Sequence, residues 1–143
     1  MVPSVGASDP TGQVGPLRAL GFREPFVGWS QGLSPPLEPR RVISVHRGYV
    51  DVAGGKRREG SEETKRAGDA DILGTDFDVV RLPLGPSLRH TAVGVGDWVA
   101  VDRTTSHVVE VAPRESSLRR RAAGSMDTEQ LLAANVDVAF IVT

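Results

Sequence analysis

The stretch Ala92-Val93-Gly94-Val95-Gly96-Asp97-Trp98-Val99-Ala100-Val101-Asp102 limits the possible folds more than any other part of the chain. Gly94, Gly96 and Asp97 read as a tight turn, because glycine accepts positive φ at no steric cost and aspartate bonds the backbone that follows it. Beyond the turn, Trp98 and Ala100 alternate with Val99 and Val101, which is the period of a strand. A lone strand cannot bury a tryptophan and several valines, so it needs sheet neighbours; residues 42–52 and 107–111 have the matching β character. Trp98 is assigned to the core beside the valines. With 16 Gly and 10 Pro in 143 residues, and only 5% aromatics, the expectation is one turn-rich, valine-built small barrel with flanking material.

Residues 1–15 are small, polar and punctuated by Gly and Pro, and are expected to stay disordered. Leu17, Leu20, Phe22 and Phe26 form an apolar patch read as a short helix ending near Gly21 or Pro25, with Trp29 in a Gly-rich loop beyond it. Residues 34–39, Ser-Pro-Pro-Leu-Glu-Pro, read as a stiff extended linker. The organisation expected is an N-terminal extension and linker over 1–39, a barrel over 40–113, and a basic connector over 114–135. Within the connector, Asp127 would cap a helical turn over residues 128–134. Residues 136–142, Val-Asp-Val-Ala-Phe-Ile-Val, are apolar on both alternating faces apart from Asp137, as in a strand covered on both sides.

The formal net charge of −1 conceals strong segregation: residues 40–58 carry +5, residues 59–80 carry −5 and residues 81–121 carry +3. Arginine outnumbers lysine fifteen to two, and its planar fork suits phosphate, although a solvated Arg-rich surface is the competing reading. With no cysteine there is no disulfide framework and no thiolate metal site, and no stretch approaches the ~20 apolar residues of a membrane span. A cytoplasmic protein that does not engage membranes is expected. His46, His90 and His107 are separated by 44 and 17 residues, which matches no local ligand spacing, so no metal site is assigned. No Ser/His/Asp grouping stands out as catalytic.

Several blocks in order resemble the N-terminal part of the ribosome small-subunit-dependent GTPase A (RsgA) family. They are Leu20-Gly21-Phe22 with Phe26; Arg41-Val42-Ile43-Ser44-Val45-His46-Arg47-Gly48-Tyr49; Leu88-Arg89-His90; Val95-Gly96-Asp97-Trp98-Val99-Ala100-Val101; Val111-Ala112-Pro113-Arg114-Glu115-Ser116; and Glu129-Gln130-Leu131-Leu132-Ala133-Ala134-Asn135-Val136-Asp137. The resemblance implies an oligonucleotide-binding (OB) type β-barrel followed by a circularly permuted α/β GTPase domain, of which residues 136–143 would be the first strand. It also implies a role in late maturation of the small ribosomal (30S) subunit, with that subunit and its rRNA as partners and a monomeric chain. By the same resemblance, GTP with Mg²⁺ and a structural Zn²⁺ belong to parts of the family absent from these residues. Arg40 stands where the family usually has Gly, and no guanine-recognition, phosphate-loop or switch motif occurs in residues 1–143. Gly54-Gly55-Lys56-Arg57 lacks the earlier glycine and the hydroxyl of a phosphate loop, so GTP hydrolysis by this chain alone is not expected.

The candidate RNA-binding residues are Arg47 and Tyr49 around a turn, Lys56, Arg57 and Arg58 in the following loop, Arg89 and His90, and the run Arg119, Arg120 and Arg121. Barrels of the OB type offer arginines to phosphates and aromatics to bases. The alternative is a free-standing OB-fold RNA-binding protein of translation-factor type; a protein-interaction barrel without an RNA role is a third reading.

Overall fold

In the computed structural model, residues 14–56, 77–121, 124 and 129–143 are described. The chain is mainly β. Two short helices, α1 (Val14–Arg18) and α2 (Phe26–Gln31), precede five strands: β1 (Leu37–His46), β2 (Tyr49–Lys56), β3 (Phe77–Pro83), β4 (Trp98–Asp102) and β5 (His107–Val111). They form one antiparallel sheet in the order β3-β2-β1-β4-β5. Just past β3, Leu84 bridges Val108 of β5 in parallel, and the Gly85 N–H donates to the Val108 carbonyl at 2.7 Å. That contact brings the two ends of the sheet together into a small OB-type barrel. Gly85 is required there, since a Cβ would lie 2.8 Å from the Val108 oxygen.

The barrel core is Val42, Val50, Val52, Leu88, Val99, Val101 and Val108, each buried side chain contributing about 1.5–3 kcal/mol. Branched residues suit a pleated, enclosed surface, which is why the valine alternation in β2 and β4 makes strands. Trp98 is fully buried, but on the other face of β4, in a second cluster with Leu17, Phe22, Phe26 and Ala112. Phe22 meets its ring edge-on at 4.6 Å, and the Arg41 guanidinium lies 5.7 Å from its centroid. Phe22 and the helices α1 and α2 therefore cover an outer face of the barrel; β4 has no solvent side, with Trp98, Val99, Ala100 and Val101 all buried.

Several expectations are corrected. Trp29 is in α2 rather than a loop, and its indole N–H donates to Glu110 of β5 at 2.8 Å, tying the helix to the sheet. Leu37, Glu38 and Pro39 are strand rather than linker, opposite Asp102, Val101 and Ala100. Pro39 is tolerated because pairing with β2 begins only at Arg41↔Ala53, which leaves that side of β1 an edge.

The predicted helical turn over residues 128–134 is also overturned: β7 (Glu129–Ala134) is a strand, paired with β6 (Ser117–Arg121) in the stretch expected to be a connector. Glu-Gln-Leu-Leu-Ala-Ala favours helix locally, but six residues cannot sustain one alone. Pairing with β6 and docking on the barrel prevail: Leu131 covers Gly94, and the Ala134 N–H donates to the Val95 carbonyl at 2.8 Å. Asn135 then clamps the hairpin. Its side chain donates to the Gly96 carbonyl at 3.0 Å and accepts from the Glu115 N–H at 2.9 Å. Residues 136–143 form no strand, and Phe140, Ile141 and Val142 are at least 90% exposed.

Candidate nucleic-acid interface

The candidate residues fall on two surfaces. The first is the tip of the β1–β2–β3 sheet. Arg47 and Gly48 make the two-residue turn between His46 and Tyr49, and Gly48 takes the positive φ of 81° that such a turn needs. Arg47 is exposed and Tyr49 is half exposed. The Gly48 carbonyl accepts from the Leu84 N–H at 3.2 Å, so the 3-10 turn over Pro86–Leu88 starts beside this tip; exposed Arg89 and His90 follow it. Lys56, expected in the loop, instead ends β2, because it pairs with Phe77 of β3; its side chain, Arg57 and Arg58 lie outside the described residues.

Register places three more residues at the tip. Asp51 of β2 lies opposite both Ser44 and Arg81. Its carboxylate accepts from Arg81 Nε at 2.7 Å and Nη2 at 3.1 Å, and lies 2.8 Å from His46 Nε2. The Arg81 hydrogen bonds hold the Asp51 carboxyl below the usual carboxylate range, with His46 adding to the effect. Sequence reading missed Arg81 and Asp51 and considered His46 only as a metal ligand. The one local signal was the alternation of Tyr49 and Asp51 with Val50 and Val52, which puts the polar pair on one face of β2.

The second surface is the β6–β7 hairpin. Arg119, Arg120 and Arg121 are all exposed on β6, opposite Leu131, Gln130 and Glu129. Arg120 Nε donates to Gln130 at 2.9 Å, and Arg119 lies 3.7 Å from Glu129, the one acid of β7. Antiparallel pairing makes the stretch expected to be a basic connector a two-stranded ribbon with a cationic strand. The hairpin joins the barrel at Val95 and Gly96, beside Val42. Val42 lies four residues before the tip of β1, about 13 Å along the strand, so the two surfaces are distinct.

Over 129 residues, 90% of its length, the chain is 30% identical to the small ribosomal subunit biogenesis GTPase RsgA of Xanthomonas oryzae pv. oryzae. The chain is an RsgA homologue. A similar match to RsgA of Xanthomonas axonopodis pv. citri covers 130 residues at 30% identity, and RsgA of Xanthomonas campestris pv. campestris is 32% identical over 109 residues, 76% of the chain. The chain spans about 30% of the length of the first two RsgA relatives and 25% of the third. No protein-family model matches the chain, and no solved structure matches it.

The residues present do not fit the metals that RsgA resemblance implies. The sequence has no cysteine for zinc, and among the described residues no three His, Asp or Glu side chains come together as a ligand set. No helix among the described residues is long and apolar enough to cross a membrane.

Proposed function

We propose that this chain is the N-terminal, RNA-binding module of an RsgA-type GTPase and that it docks on small-subunit rRNA during late assembly of the 30S particle. The nucleotide chemistry would then reside in a GTPase domain opening with residues 136–143, and the site of action would be the cytoplasm. Homology to proteins named for small ribosomal subunit biogenesis supports the partner. The observation that carries the docking role is the β6 strand, where three consecutive exposed arginines pair with a β7 strand that carries a single acid. A paired ribbon keeps its arginines at strand spacing, so engaging a phosphate backbone costs less ordering than it would from a coil. The barrel contributes rigidity, and Asn135 and Arg41 join hairpin to barrel at the Gly96 carbonyl.

The test is filter binding to small-subunit rRNA across a salt series, comparing the chain with a variant carrying Arg119→Ala, Arg120→Ala and Arg121→Ala. Removing one arginine–phosphate pairing should lower the slope of log affinity against log salt by about one unit, so the triple variant should show a slope smaller by about two to three. An unchanged slope removes the hairpin from the RNA footprint. Salt-independent or absent binding in the unaltered chain removes the function itself.

A further inference from the structure

At the sheet tip, directly paired residues share a face, so Tyr49, His46, Pro83, Asp51 and Arg81 all lie on the face of the sheet opposite Val50 and Val52, which fill the barrel. We infer that this face is a binding site for an unpaired ribonucleotide, the base stacking on Tyr49 and the phosphate held by Arg81, with Asp51 as the residue that positions Arg81 and His46. The inference rests on the RNA-binding reading above and narrows it to a ligand class and a place.

Tyr49 is half exposed at the start of β2, between His46 of β1 and Pro83 of β3. A half-exposed phenol ring offers a flat apolar surface to a nucleobase, and exposed Arg81 and Arg47 on the same tip offer cations to its phosphate. Asp51 is 8% exposed and binds two donors at once, so Arg81 and His46 are held against the sheet rather than free to swing. The fork uses Arg81 Nε and Nη2; Nη1 has no partner among the described residues, and the side chain is 56% exposed, leaving donors directed at solvent. His46 Nε2 lies 2.8 Å from Asp51 Oδ2 and 3.2 Å from Arg81 Nη2, so the imidazole is seated against both members of the pair. Arg47 in the adjoining turn supplies a second exposed cation. A base-paired duplex hides its base faces, so only an unpaired nucleotide can use Tyr49.

Fluorescence anisotropy on the whole chain, with a short unpaired RNA and a blunt RNA duplex as probes, tests this. Tyr49→Leu should weaken the unpaired RNA about tenfold and leave the duplex unchanged, and Tyr49→Phe should restore binding. Asp51→Asn should weaken the unpaired RNA severalfold and make a further Arg81→Gln change nearly silent, because Arg81 would already be unheld. Tyr49 is the only tyrosine, so its ring resonances report stacking directly by an upfield shift. Urea midpoints confirm that each variant is folded. RNA binding that Tyr49→Leu leaves intact, or weakens equally for both probes, overturns the site while the docking proposal stands. Failure of the unaltered chain to bind either RNA overturns both.

Discussion

Arg114 forks onto the buried carboxylate of Asp97, Nε to Oδ1 at 2.7 Å and Nη2 to Oδ2 at 2.8 Å, while the Gly94 N–H donates to the same Oδ2 at 2.8 Å. Asp97 is wholly buried at the head of β4, so this one carboxylate shapes the Gly94–Gly96 turn and anchors the chain leaving β5. Arg114→Ala leaves that charge buried with the Gly94 N–H as its only remaining partner among the described residues, and should cost about 3 kcal/mol. Urea denaturation monitored by tryptophan fluorescence measures it; a loss below about 1 kcal/mol, the scale of an exposed ion pair, would mean the pair is structurally idle.

Gly96 has φ +95°, and a Cβ there would sit 2.1 Å from the Ala134 carbonyl oxygen, a backbone atom that cannot swing aside. Gly96→Ala should therefore cost about 2 kcal/mol or more and loosen the hairpin from the barrel. Gly48 is the control: its φ is +81° but nothing lies within 4 Å of the added methyl, so Gly48→Ala should cost only about 1 kcal/mol of backbone strain. Chemical denaturation ranks the two, and faster hydrogen exchange at the Ala134 amide in the Gly96 variant locates the damage.

Asp51 makes stability depend on acid in a direction that can be worked out. Its folded pKa lies below the unfolded carboxylate value of about 3.9, so its stabilisation is present above that value and is lost as pH falls through the lower folded one. Asp102, held down by the N–H groups of Thr104 and Thr105, acts in the same direction. The Asp51→Asn protein should show a shallower loss of urea midpoint on acidification below about pH 4 than the unaltered chain, and the same slope near neutrality. A steeper acid slope in the variant would contradict the assignment.

Phe140, Ile141 and Val142 form a contiguous exposed apolar run beyond the Arg23–Asp137 ion pair, which holds the start of this segment at 2.8 Å. Such a run promotes association between chains. Light scattering should rise with protein concentration, and Phe140→Ser with Ile141→Ser should flatten that rise without moving the urea midpoint, since neither side chain is buried. Concentration-dependent scattering that survives both substitutions would place the association surface elsewhere.

Much of the barrel was legible because its signals are local. The Gly94–Asp97 turn, the alternation after Trp98 and the Arg47-Gly48 turn each depend on residues a few positions apart. The site was legible only in part. Arg81 meets Asp51 across a register spanning 30 residues, so no local pattern reveals that one acid holds both Arg81 and His46.

Residue order alone was enough for the strand β4, its turn, the valine core and the kinship with RsgA, because composition and period are properties of short windows. Long-range packing, by contrast, put Trp98 outside the barrel under Phe22 and Phe26 and made residues 129–134 strand rather than helix. In both cases a distant partner set the outcome: an aromatic cluster on the outer face of β4 in one, and the β6 ladder with the Gly94–Gly96 turn in the other. Interactions of that kind outweigh the few tenths of a kcal/mol per residue that local propensity supplies.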